Sequence, residues 1–346
     1  MLRNPFKRKA TTGQPLEETA IETSQELLRI VRRNFFLKNA LIVTALAGAG
    51  WSMMNPEHLD TDDDHIAVIQ VNGIIGSGNK TGSAQHLIGA LKEAVATDSA
   101  KGILIMADSP GGSPVEAESV HHWIQDYRHA PTCTEGQMTE GKPNAGENCY
   151  ATKKAIEVSI GNVCASACYY IASAADRIAA SNSSLVGSIG VKFESWDFTK
   201  AMDTVGVGRR TLAAGHFKTL FDPYLPMDKQ GFEVMRSQVL MPLYAQFTET
   251  VTEARLGKLP EDTTDLFSGR VFVAAEARKY GLIDDIDYGV SVLEGMSQRY
   301  DVEHHVEYNR VRSSFSSLFF GAVEHFGHAI GEGIAASIQS DPYQIR

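Results

Sequence analysis

An α/β domain behind one N-terminal membrane anchor is the architecture this sequence predicts, on three observations. An uncharged, mostly apolar stretch over residues 39–56, NALIVTALAGAGWSMMNP, separates a basic N-terminal segment from an acidic one. From His65 onward, short runs rich in β-branched residues alternate with stretches of helical periodicity, the pattern of parallel strands joined by right-handed crossovers. The 346 residues, 43% hydrophobic and 21% charged, have globular composition, unlike a disordered or polytopic chain.

The elements follow in order. Residues 1–34 form a polar segment in which residues 17–33 have the pattern of a helix leading into the anchor; Arg3, Lys7, Arg29 and Arg33 are among its excess of basic residues. Phe35, Phe36 and Leu37 extend the apolar stretch to residues 35–56. That reaches the roughly 20 residues needed to cross a bilayer if Lys38 snorkels and Trp51 sits in the far interface. Thirty-four residues precede it, too many for the short basic head of a cleaved signal peptide. By the positive-inside rule residues 1–34 stay in the cytoplasm. Everything beyond Pro56, beginning with Glu57, Asp60, Asp62, Asp63 and Asp64, is then exported to the periplasmic side of a single-pass protein of the cytoplasmic membrane. The formal net charge of −10 argues against nucleic acid as a partner.

Within the exported part, IAVIQVNG and GILIMADSPGG read as strands with helices over residues 83–96 and 115–128 between and after them. Residues 130–152 have no apolar periodicity and read as a loop insertion. AIEVSIG, a small-residue helix over 165–175 and DRIAAS resume the alternation. A long helical stretch over 227–256 and a strand-and-helix unit over 270–292 complete a domain of residues 65–300, leaving 301–346 as an amphipathic tail. An exported domain can hold disulfides. Cys133 and Cys149 bracket the polar stretch, so pairing them to close its base is the favoured reading; Cys164 and Cys168 either bridge or are small buried residues. The spacing lacks the paired clusters of a zinc site, so neither a metal nor a cofactor is expected.

Two local features bear on chemistry. Ser166, in NVCASACYY, follows a strand and opens a helix; such a turn projects a hydroxyl and aims unpaired amides at an adjoining oxyanion, although a serine there also serves as a plain helix cap. Ser109-Pro110-Gly111-Gly112 follows another strand, and consecutive glycines either make a tight turn or expose backbone N–H donors.

Taken in order, SPGG, the serine before CYYIA, GSIGV at 187–191, AGHFK at 214–218 and LFSGRVFVAAEARKYGLID at 266–284 resemble the signal peptide peptidase A family of Ser-Lys peptidases, over residues 65 to about 300. The resemblance implies a ClpP/crotonase-like fold of repeated strand-strand-helix units, assembled as a homo-oligomer, that cleaves short membrane-derived peptides such as remnant signal peptides. It implies Ser166 as nucleophile, Lys218 as general base, Ser188 as the hydroxyl orienting that lysine, and the amides of Gly112 and Ala167, beside Gly111, as the oxyanion hole. Ala167 and Cys168 replace the family's usual glycine pair, and Thr219 follows Lys218 where an acid or serine is more usual. A lysine accepts a proton at neutral pH only if its ordinary pKa of about 10.4 falls through desolvation. His216 is the rival base, two residues before Lys218. The competing readings are an acyl-CoA-processing enzyme, since the fold also surrounds thioester oxygens with amides, and a non-catalytic assembly scaffold.

Overall fold

The computed structural model describes residues 63–309 apart from 140, 141, 145 and 148, all within one unit, Leu59–Arg312. The expected cytoplasmic segment 1–34, the anchor at 35–56 and the tail beyond residue 309 lie outside the described residues. Among the described residues no helix is long and apolar enough to cross a membrane.

Strand β1 (His65–Asn72) is followed by α1 (Ala84–Ala96), β2 (Ala100–Ser109) and α2 (Pro114–His129). Both helices form where their apolar residues recur at helical spacing: Leu87, Ala90, Leu91 and Ala94 in α1, and Ala117, Val120, Ile124 and Tyr127 in α2, are the buried ones. Ser113 caps α2 and Pro114 takes its first turn, where a missing N–H costs nothing. The insertion carries a small antiparallel hairpin, β3 (Met138–Thr139) and β4 (Lys142–Pro143), closed at its base by a Cys133–Cys149 disulfide with Cα atoms 5.0 Å apart. Next come β5 (Ile156–Ala165), α3 (Ala167–Ala172), β6 (Arg177–Ala180) and β7 (Leu185–Gly187). Helix α4 (Thr199–Val205) interrupts an otherwise irregular stretch before α5 (Lys229–Met235) and α6 (Met241–Ala254), which a π turn, Arg236–Leu240, joins into the long helical stretch. The chain ends with β8 (Val271–Val273), α7 (Ala274–Lys279), β9 (Asp285–Ile286), α8 (Gly289–Tyr300) and β10 (His304–Glu307).

The eight-stranded sheet runs β10-β1-β2-β5-β6-β9, with every pairing along that path parallel. β5 serves two neighbours in turn. Glu157 to Ile160 pair with β6, whereas Val163, Cys164 and Ala165 pair with β7, whose other edge takes β8 antiparallel. This change of partner brings the end of β7 beside the end of β5. β10 pairs with β1, and Tyr308 is buried against the core. The first residues of the expected tail therefore belong to the sheet, because their backbone pairs in parallel with His65–Val68 and Tyr308 N–H donates to Val68 O at 2.9 Å.

The insertion sits at the C-terminal end of α2 and ahead of β5. A 16-residue helix spans about 24 Å, so the insertion lies at the opposite end of these elements from the turns after β2 and β5.

The EARKYGLID block has a structural part to play. Arg255, from the end of α6, is 1% exposed; it grips both oxygens of Asp284 at 2.9 and 3.0 Å and donates to Gly281 O at 2.9 Å. Burial would raise the Asp284 carboxyl, but hydrogen bonds from Arg255 and Lys258 outweigh it and hold the group below its ordinary 3.8. Because the folded-state value is the lower one, the pair stabilises the fold above about pH 4, and that contribution fades as the carboxylate is protonated in acid. Asp284→Ala leaves a buried guanidinium uncompensated and is expected to cost about 3–5 kcal/mol, read as a lower urea midpoint with an unchanged slope.

Candidate active site

Three parallel strands deliver their C-terminal ends to one place. β2 leads into Pro110-Gly111-Gly112, β5 into Ser166 and β7 into Ser188. Ser166 is the residue before α3 and takes φ 54°, ψ −122°, a conformation a side chain adopts only when its surroundings impose it. Its N–H donates to Gly187 O at 2.8 Å, and its carbonyl accepts from Tyr170 N–H at 3.0 Å. Ser188 is also left-handed, at φ 51°, and its N–H donates to Arg270 O at 2.7 Å. The two serines thus flank one register step of the β5–β7 ladder, Ala165 opposite Gly187.

The glycine pair divides its work. Gly111 N–H is committed to Ser109 Oγ at 3.1 Å, and a Cβ on Gly111 would lie 2.8 Å from Ser166 Cβ and from Ala165 O. It lets the β2 turn touch the β5 turn. Gly112 forms a parallel bridge with Ile75: Ile75 N–H donates to Gly111 O at 2.9 Å and Ser113 N–H donates to Ile75 O at 2.8 Å. In that pattern Gly112's own N–H points away from Ile75, toward the cavity that Gly112 lines. Ala167 N–H opens α3 with no helical acceptor behind it. Among the described residues neither amide donates to another group.

These groups meet in a cavity of about 570 Å³. Gly112, Ser166, Ala167 and Ser188 lie on its polar side; Tyr170, Tyr244, Phe247 and Phe267 supply aromatic walls. The aromatic set was not legible in the sequence, although Tyr170 follows Ser166 by one helical turn and could have been found that way. Phe247 and Tyr244 arrive from α6, and Tyr244 is fixed by a 2.8 Å bond to Phe267 O.

Lys218 is not brought to this cavity within the chain. It is exposed on a turn, Lys218 N–H donating to Gly215 O at 3.1 Å, in the irregular stretch between β7 and α5. His216, on the same turn, faces Asp228 at 3.4 Å and likewise does not line the cavity. The lysine that does line it is Lys192, whose ammonium is paired with Glu194 at 2.8 Å. All four cysteines are paired: besides Cys133–Cys149 there is a Cys164–Cys168 bridge across Ser166. Among the described residues there is no cluster able to hold a metal ion.

Comparison with known proteins extends this geometry. Residues 149–303 match Peptidase family S49; the matched region contains Ser166, Ser188 and Lys218 but begins after the glycine turn. A protein of Brucella melitensis named Na(+)/H(+) antiporter NhaA is 31% identical over 269 residues, 77% of this chain and 33% of the relative. A putative protease of Methanocaldococcus jannaschii is 25% identical over 300 residues, covering 85% of this chain and 87% of the relative. A putative signal peptide peptidase of Enterococcus faecium is 23% identical over 265 residues, 74% of this chain and 70% of the relative. The chain spans about a third of the length of the Brucella relatives, and the antiporter name belongs to those longer proteins.

Proposed function

The chain belongs to peptidase family S49, the signal peptide peptidase A family of serine peptidases, and we propose that it cleaves peptide bonds through an acyl-enzyme on Ser166. The observation that carries this reading is the convergence of a left-handed serine with two unpaired amides in one aromatic-walled cavity. Ser166 Oγ attacks the scissile carbonyl; the oxyanion so formed accepts hydrogen bonds from Gly112 N–H and Ala167 N–H. The N-terminus of α2, which starts just beyond Gly112, adds the positive end of a helix dipole.

The attacking hydroxyl needs a base, and the reading assigns it to Lys218 of an adjacent protomer. Support comes from the exposure of Lys218 and of apolar side chains around it: Leu212 is fully exposed, and Phe217, Phe221 and Tyr224 are partly exposed, in the single chain. A second copy packed over this stretch would bury them and could bring its lysine within reach of Ser166. Lys218 takes the Ser166 proton, returns it to the leaving amine, and then deprotonates the water that hydrolyses the acyl-enzyme; Ser188 orients it. The ClpP/crotonase-like form of the fold and the homo-oligomer belong to the same proposal.

Peptide substrates follow from the family, and the aromatic walls favour short apolar segments. The proposed anchor at residues 35–56 would hold the domain at the membrane where remnant signal peptides accumulate. Two disulfides in the domain support an oxidising, extracytoplasmic location. That location disfavours an acyl-CoA substrate, since coenzyme A is cytoplasmic. Labelling the purified domain with a serine-directed fluorophosphonate tests the reading: an adduct on Ser166 is expected, and no adduct on Ser166 would favour the scaffold instead.

The contact between Gly111 and Ser166 gives a second expectation. Gly111→Ala forces a Cβ into a 2.8 Å approach at a φ of 107°, so one turn must move. A displacement near 1 Å at a reacting centre costs on the order of 100-fold. Peptidase kcat/KM should fall by about that factor while far-ultraviolet circular dichroism stays native.

A further inference from the structure

The feature that the mechanism leaves unused is the Cys164–Cys168 disulfide, which straddles Ser166 two residues on either side. We propose that this bridge is a positioning clamp: Cys164 and Cys168 hold the turn between β5 and α3 so that Ser166 keeps the left-handed conformation that presents its hydroxyl. The inference rests on Ser166 being the nucleophile.

Three observations carry it. A cross-link between residues four apart removes less entropy from the unfolded chain than the Cys133–Cys149 link with its separation of 16. Global stabilisation is therefore smaller here than at the base of the insertion. What a ring this small does restrain is the backbone it encloses, Ala165, Ser166 and Ala167. The second observation is that this enclosed backbone is the part that needs restraint, because Ser166 sits at φ 54°, ψ −122°, a region that residues with a side chain occupy only when held there. Its two backbone hydrogen bonds, Ser166 N–H to Gly187 O and Tyr170 N–H to Ser166 O, orient the peptides on either side of Ser166, and the bridge ties together the residues just beyond them. The third is burial: Cys164 is 0% exposed and Cys168 1%, and both belong to the hydrophobic core. Solvent reductants do not reach sulfurs so placed, which makes the bridge a fixed part of the fold and not a reversible switch. Cys164 is also opposite Ser109 in the β2–β5 ladder. Ser109 is the residue whose hydroxyl fixes Gly111, so the clamp registers the nucleophile turn against the glycine turn as well.

The test is steady-state kinetics on a full-length Cys164→Ala/Cys168→Ala double variant, with a Cys133→Ser/Cys149→Ser variant beside it as the control for losing a disulfide far from the site. For the first, kcat should fall on the order of ten-fold, the factor set by an unheld strained residue, with KM near wild type. The fluorophosphonate labelling rate of Ser166 should fall in proportion. The control should keep wild-type kcat. An unchanged kcat, or a change confined to KM, overturns the clamp. Should the double variant fail to fold, mass spectrometry of active wild-type protein, alkylated in denaturant without reductant, decides instead: an intact Cys164–Cys168 crosslink is expected, and two alkylated thiols there overturn the proposal. The Ser166→Ala variant separates the two readings. If that variant remains active, the nucleophile assignment fails; if it is dead while the double cysteine variant keeps full kcat, only the clamp fails.

Discussion

Ser166→Ala is expected to abolish peptide hydrolysis while leaving the domain folded and its cavity able to bind peptide. The hydroxyl is the only group removed. The backbone at position 166 would keep the N–H that donates to Gly187 O and the carbonyl that accepts from Tyr170 N–H, so the turn loses no backbone partner. Removing the nucleophile of a hydrolase whose remaining parts are intact costs on the order of 10⁵- to 10⁶-fold in kcat. The amides of Gly112 and Ala167 would still polarise a bound carbonyl, which leaves a small rate above that of water. Turnover of an apolar fluorogenic peptide measures the loss, and peptide binding to the inactive variant shows that the groove persists. A variant that retained wild-type turnover would refute the assignment.

The separation of roles between the glycines explains why the site needs three strand ends. Gly111 is the spacer and Gly112 the proposed donor, and the change of β5's partner from β6 to β7 brings Ser188 alongside. Each polar group is placed by backbone, in a ladder or a bridge, and not by a flexible side chain. Such placement is what an oxyanion hole requires, since donors that must reorganise during the reaction contribute less.

Much of this was legible in the sequence, and the limits have physical causes. The strands and helices of the sheet follow pattern and punctuation: β1 and β2 lie close to the expected spans because they are apolar, mostly buried runs bounded by turn residues, and α1 and α2 because their buried faces repeat at 3.6 residues. The helix expected over 165–175 is shorter, Ala167–Ala172, because the turn at Ser166 occupies its start and small residues carry no periodic signal for its end. β8 and β9, of three and two residues, are too short to show alternation. Ser166, Gly111 and Gly112 stand out through local turn chemistry. The aromatic walls do not, because Phe247 and Phe267 reach Ser166 only through tertiary packing. Lys218 gave no local signal at all: AGHFK has no periodicity to mark it, and the role proposed for this lysine depends on a surface outside the single chain.

That dependence gives the second large expectation. Lys218→Ala alone should be as inactive as Ser166→Ala, since a serine without its base is a poor nucleophile at neutral pH. The informative experiment joins the two. If Lys218 serves the Ser166 of a neighbouring copy, co-assembly of the two inactive chains produces some junctions at which an intact serine meets an intact lysine. In a random mixture of equal parts, about a quarter of the sites are then restored, and activity should rise to about that fraction of wild type from a background several orders of magnitude lower. If the lysine acted within its own chain, every site in the mixture would lack one partner and mixing would restore nothing. The exposed stretch predicts a companion result: Phe217→Glu or Leu212→Glu, which place charge on apolar side chains that a neighbour would cover, should lower the oligomeric state in sedimentation and lower activity with it. An active monomer, or an inactive mixture that nevertheless co-assembles, would reject the shared site.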